Sequence, residues 1–347
     1  RFDIVVLDPP GCVPIFSSLT NGASNAHRKS MAYRSVAIAS VRFSDGAALS
    51  DQALVTLKNI APPGSGKQYE VWLLRGDEKR QSMGIVTITG GQGSLNFNEP
   101  ANGILLADFD SAAVTIEPAP DNNPLPEAAV LLRGQLPPQA LMHIGHLLVA
   151  REDTPDNVGY AVGLRAQAEL LQTASVAALD AVQAGDLQQV KQNAEAIIAL
   201  IEGSNGKDVG DLNGDGAVSN PGDGFGLLPN GNNVGYIQGT LEHAGLAAGA
   251  PDATSNVKLH AAHVQIAARN VSEWVSSLRD LTLKIAQASD VNAAAADVRA
   301  AAALAKRILE GQDINGNEQV EPIPNEGGAR LAYLHAQFMA DIILTKP

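Results

Sequence analysis

Disulfide chemistry is closed to this chain, which has one cysteine, Cys12, among 347 residues. No intrachain bridge can form, so core packing, alone or with metal, must hold the fold, and a lone thiol reads as an inert residue. Nowhere do about 18 apolar residues run together, so nothing in the sequence spans a membrane and no lipid-inserting segment is expected. Basic residues are scarce: 24 Lys and Arg face 37 Asp and Glu, a net charge of −13. That balance excludes a phosphate-binding face for nucleic acid and docking on anionic lipid. No Walker loop, dinucleotide fingerprint, nucleophile elbow, C-x-x-C or H-E-x-x-H occurs, so the chain is read as non-enzymatic. The text opens in a strand-like run, R-F-D-I-V-V-L, with neither an initiator Met nor a signal peptide, which predicts that a leader or anchor has been removed.

What is present divides near residue 137. Up to there, short runs rich in β-branched and aromatic residues alternate with Gly, Pro, Asn and Asp. They are S-V-A-I-A-S-V-R-F, A-L-V-T-L-K-N-I, Y-E-V-W-L-L, M-G-I-V-T-I-T, G-S-L-N-F, A-A-V-T-I-E and A-A-V-L-L-R. This pattern predicts an antiparallel β-sandwich. G-Q-G-S at Gly91–Ser94 reads as a hairpin turn. After Pro138 the composition turns to Ala, Leu and Gln at helical spacing, which predicts a helical bundle. The expected class is therefore α+β and multidomain: an extension over 1–34, a sandwich over 35–137 and a bundle over 138–347.

The helical half reads as an internal duplication. His143-Ile-Gly-His146 matches His260-Ala-Ala-His263 at an offset of 117, Glu202-Gly203 matches Glu310-Gly311 at 108, and Asp211 matches Asp313 at 102. The falling offset assigns extra loop residues to the first copy. Each unit, about 138–250 and 251–347, would be an H-x-x-H helix, a long helix, an E-G step, an acidic loop and a closing helix.

The acidic loops carry oxygen at alternate positions, as hard cations require. Asp211, Asn213 and Asp215 offer side-chain oxygens, Gly216 permits a sharp turn, Ala217 offers its carbonyl and Val218 is expected to point inward. They resemble the calcium loops of EF-hand and dockerin proteins over about a dozen residues. Position 12 is Gly222 rather than an acid, so Asp223 is expected to close the site. The second loop offers Asp313, Asn315, Asn317, the Gln319 carbonyl and then Glu321 or Glu326; with fewer charges it is expected to bind more weakly. Ca²⁺ with a structural role is the expected ligand. Asx turns without metal are the plainer alternative.

Six of seven histidines lie in the helical half. H-x-x-H puts His143 beside His146, and His260 beside His263, on one helical face, a spacing that can bind a transition metal. With His243 and His335 they could form a metal or haem site. Helix-packing histidines kept by duplication are the simpler reading. Trp72 and Trp274 read as core residues, and the sequon at Asn270 as coincidental.

From about Ser35 to Pro137 the sequence resembles the extracytoplasmic domain of the anti-sigma-K factor family. The matching words are Y-E-V-W-L-L at Tyr69–Leu74, S-M-G-I-V-T at Ser82–Thr87, A-A-V-T-I-E-P-A-P at Ala112–Pro120 and V-L-L-R-G-Q-L-P at Val130–Pro137. The resemblance implies a small β-sandwich outside the cytoplasmic membrane. That family holds its sigma factor with a cytoplasmic helical segment joined through a transmembrane helix, and this sequence has neither. The expectation is an extracytoplasmic, secreted or bacterial cell-surface protein with structural calcium. Its partners would be another protein or copies of itself, through strand addition by residues 1–34. A sensor ectodomain of an anti-sigma system, and histidine-based metal or haem binding, are the alternatives.

Overall fold

The computed structural model describes residues 39–77, 79–101, 103–126 and 129–347. The expected N-terminal strand, Cys12 and the strand-addition segment 1–34 lie outside them. Described are two antiparallel four-stranded sheets and eight α-helices, a mixed α+β chain. Its described residues divide into two compact units: those from 39 to 135 with 342–347, and those from 136 to 341.

The β unit follows from alternation. β1 (Ala39–Ser44), A-S-V-R-F-S, buries every second residue, and β2 (Gln52–Lys58) does the same. Strand geometry sends successive side chains to opposite faces, so one face carries Val41, Phe43, Val55 and Leu57 into the core. One sheet runs β5-β2-β1-β8, with β5 at Gln92–Asn98 and β8 at Ile342–Ile343; the other runs β4-β3-β6-β7, with β3 at Lys67–Arg75, β4 at Lys79–Val86, β6 at Ser111–Pro118 and β7 at Val130–Gln135. A single helical turn, α1 (Leu105–Asp108), precedes β6. Trp72 is buried, and its indole N–H donates to Thr115 Oγ1 at 2.9 Å. The hairpin turn sits two residues earlier than the G-Q-G-S reading places it. Gly90 and Gly91 take φ of 59° and 80° between the bridged Thr89 and Gln92, a conformation open chiefly to glycine.

The chain leaves this unit after β7 and returns to it at the end. β8 pairs with β1 through Ser40–Ile343 and Val41–Ile342, the Leu344 amide donates to the Ala39 carbonyl, and Thr345 bridges Arg133 of β7. The sequence reading carried the helical bundle through to Pro347. The last residues instead complete the β unit, because Ile342 and Leu344 are fully buried there and their backbone satisfies the edge of β1.

The helical unit contains α2 (Pro138–Leu148), α3 (Tyr160–Ala184), α4 (Leu187–Glu202), α5 (Tyr236–Gly249), α6 (Ser255–Ala286), α7 (Val291–Glu310) and α8 (Ala329–Met339). Asp186, Thr254 and Asp290 cap α4, α6 and α7 by accepting the amide three residues on. α6 runs unbroken for 32 residues, where the first half has α2, a 3₁₀ turn and α3; the R-E-D-T-P-D-N-V-G segment supplies that break. Trp274 is buried with the Arg307 guanidinium 5.7 Å from its ring centroid. No helix among the described residues is long and apolar enough to cross a membrane.

Replacing Leu344 by Ala should destabilise the β unit by about 2–5 kcal/mol, the usual cost of truncating a buried Leu. A urea melt followed through Trp72 in a Trp274→Phe background reads this, and an unshifted midpoint contradicts the placement of the final strand.

Candidate metal sites

Two groups of side chains in the helical unit suit cations of opposite character. The first group is histidine. On α2 the i, i+3 spacing sets His143 and His146 on one face, and α5 lies along that face and brings His243 to both. His143 Nδ1 and His146 Nδ1 lie 3.2 and 3.3 Å from His243 Nδ1. On α6 the same spacing sets out His260 and His263, and α8 brings His335 with Nδ1 at 2.9 and 3.4 Å from theirs. Within each trio one donor nitrogen per residue lies within 4.8 Å of the others. His243, His260 and His335 are buried, and His143, His146 and His263 half-buried.

Burial first, then the nearby Arg151 guanidinium, holds His143 and His146 below the ordinary imidazole value. His243 is pushed down to about 4, by burial and then by His146, Arg151 and His143. The first trio is thus neutral at pH 7, the form that ligates metal. Tyr160 stacks on His243 with centroids 5.2 Å apart, and its hydroxyl donates to Asp153, which pairs with Arg151. Phe338 meets His260 and His335 edge-on. The H-x-x-H pairs, with His243 and His335 as further members of a site, were visible in the sequence. Which of the two joins which pair was not, because it depends on which helices pack together.

The second group is the acidic loops, whose hydrogen bonds repeat in register. Asp211 accepts the amides of Gly214, Asp215 and Gly216 at 2.6, 3.1 and 2.8 Å. Asp313 accepts those of Gly316, Asn317 and Glu318 at 2.7, 3.3 and 2.7 Å. Asn213 and Asp215 each accept the amide two residues on, as Asn315 and Asn317 do, so Ala217 and Gln319 occupy equivalent places.

Asp223 and Val218 sit otherwise than the sequence reading places them. Asp223 accepts from Phe225 N at 2.9 Å and from the Tyr236 hydroxyl at 2.6 Å, so that carboxylate is engaged with the start of α5. The buried Glu195 of α4 holds the first loop in its place, accepting Leu212 N and Ser219 N at 3.3 and 2.6 Å. No sequence signal marked Glu195, which precedes the loop by a helix. Val218 is exposed rather than turned inward.

The second loop gathers Asp313, Glu321 and Glu326, three carboxylates, as the first gathers Asp211, Asp215 and Glu195. Glu321 Oε2 accepts from the side chains of Asn315 and Asn317 at 2.7 and 2.8 Å. Glu326 is fully buried; its Oε1 accepts Ile314 N at 3.3 Å and its Oε2 has no partner. Burial first, and then the charges of Glu321 and Asp313, raise the Glu326 carboxyl above its ordinary value. Asn270 on α6 pins this loop, donating to the Ile323 and Gly327 carbonyls and accepting Asn325 N. Its amide is therefore committed to the fold.

Residues 24–130 match the family model described as Anti-sigma-K factor rskA, C-terminal. The match covers the strands from β1 to the start of β7; residues 24–38 lie outside the described part. No curated protein and no solved structure matches the chain. The match corrects the expectation of a secreted or cell-surface protein. Factors of that family are anchored in the membrane with a cytoplasmic sigma-binding part, while no described helix here can cross a bilayer. No location is assigned.

Position 6 of the loops differs: Gly216 has φ of 88° and its counterpart Glu318 has φ of 65°. A non-glycine residue there is strained by about 1–2 kcal/mol. Glu318→Gly should therefore raise the thermal midpoint of the helical unit by one or two degrees, offset in part by the looser unfolded chain. A fall in the midpoint would contradict the turn.

Proposed function

We propose that the chain is a sensor-type, non-enzymatic part of an anti-sigma regulatory system. It joins a small sandwich of the anti-sigma-K type to a duplicated helical bundle braced by hard cations. The match over residues 24–130 carries the regulatory reading. A sigma factor is then the protein partner, engaged by a segment other than the matched one. Epitope-tagged product of the complete gene should recover a sigma factor from native cells, identified by mass. Recovery of the bait without one overturns this reading.

The repeated loop hydrogen bonds support the duplication and the structural cations. Each loop presents a carboxylate already held by three backbone amides, and the second adds a buried carboxylate with a spare oxygen. Ca²⁺ fits such an oxygen-only set, and it would relieve the repulsion among Asp313, Glu321 and Glu326. On this account the second loop is the tighter site, the reverse of what counting charges within the loop suggests.

An ion that binds only the folded state stabilises it by about 2.7 kcal/mol at a hundred times its Kd. Calcium should accordingly raise the thermal midpoint of chelator-treated protein by several degrees. Glu326→Gln should lose most of that rise while melting no lower than the parent without calcium, since it removes a buried charge. A calcium-independent midpoint contradicts the cation reading.

A further inference from the structure

We propose that the helical unit holds two transition-metal ions, zinc or copper, one in each trio of histidines. The donors are Nδ1 of His143, His146 and His243 at the first centre, and Nδ1 of His260, His263 and His335 at the second. This inference rests on side-chain geometry and stands whether or not the chain belongs to an anti-sigma system.

Distance is the first argument. A tetrahedral ion about 2.0–2.1 Å from each imidazole nitrogen holds those nitrogens about 3.3–3.4 Å apart. The contacts at His243 Nδ1 are 3.2 and 3.3 Å, and those at His335 Nδ1 are 2.9 and 3.4 Å. The third histidine of each trio is thus already at ligand spacing from both members of its H-x-x-H pair.

Proton bookkeeping is the second. A neutral imidazole nitrogen has one in-plane direction, used either by a hydrogen or by a lone pair. His243 Nδ1 faces two other Nδ1 atoms, as does His335 Nδ1, and one such direction cannot serve two contacts linearly. A cation at the common point takes one lone pair from each ring and satisfies all three.

Repetition is the third. Where one duplication produced both trios, each copy has kept all three histidines and their convergence through one ring nitrogen. Here two separately packed helix pairs, α2 with α5 and α6 with α8, use the same two spacings and the same ring nitrogen.

The donor set narrows the occupant. Three imidazoles, with no carboxylate or thiolate among the converging atoms, do not suit calcium or magnesium; they suit zinc and copper, which head the affinity order for nitrogen sites. Haem fits poorly, because three nitrogens this close converge on a point and leave no room for a macrocycle between opposed ligands.

The test uses the whole chain, stripped of metal by a chelator and returned to excess calcium so that oxygen sites are filled first. It is then titrated with zinc, with copper(I) under reducing conditions, and with cobalt(II) as a spectroscopic probe. Wild type should take up two equivalents, His243→Ala one, and His243→Ala with His335→Ala none. Cobalt should show the intense visible bands of a tetrahedral site. His143→Gln and His263→Gln alter half-buried positions and guard against misfolding. With an unchanged circular dichroism spectrum, each should weaken its own centre by more than the 10–100-fold that losing an outer-shell partner typically costs. Competition between zinc and copper identifies the occupant. No uptake by the wild type, two equivalents retained by the double variant, or only weak octahedral cobalt bands would overturn the proposal.

Discussion

Three imidazole rings pressed together inside a protein impose a constraint that the surrounding helices must meet. Each ring brings one nitrogen to the common point, and protons cannot satisfy all three contacts there. In the low-dielectric interior a second charged ring is costly, and burial holds His243 at about 4. The cluster therefore calls for a shared electron-pair acceptor. The geometry of α2 with α5, and of α6 with α8, follows from delivering one histidine to a pair already fixed by a helical turn. The acidic loops meet the opposite demand. Their carboxylates take up the amides of the segments joining α4 to α5 and α7 to α8, the segments that bring His243 and His335 round to their partners. Nitrogen-donor and oxygen-donor groups thus occur in the same unit, each suited to a different class of ion.

Parts of this were legible before any coordinates. Strict alternation in A-S-V-R-F-S and Q-A-L-V-T-L-K identifies two-faced strands, since side chains alternate across a sheet whatever the tertiary context. H-x-x-H identifies two rings on one helical face for the same local reason, and Asp211 and Asp313 announce their loops through position and glycine. These are short-range properties of the chain.

The rest depends on contacts distant in sequence. Glu195 precedes the loop it holds by a helix, and His243 meets His143 across 100 residues. The two-residue strand Ile342–Ile343 is too short for a periodic signal, and a run of Ile and Leu after α8 reads as more helix. Its pairing with β1 exists only because the chain returns to the β unit. Loop position does not set the direction of Val218, whose exposure depends on what packs beside the loop.

The central claim is that three histidine nitrogens in each half share one ion. X-ray absorption at the metal edge of protein loaded with two equivalents, in excess calcium, tests it most directly. The account predicts about three nitrogen scatterers near 2.0–2.1 Å per ion, with the outer-shell pattern of imidazole rings. A first shell of oxygen alone, without imidazole scattering, would contradict it.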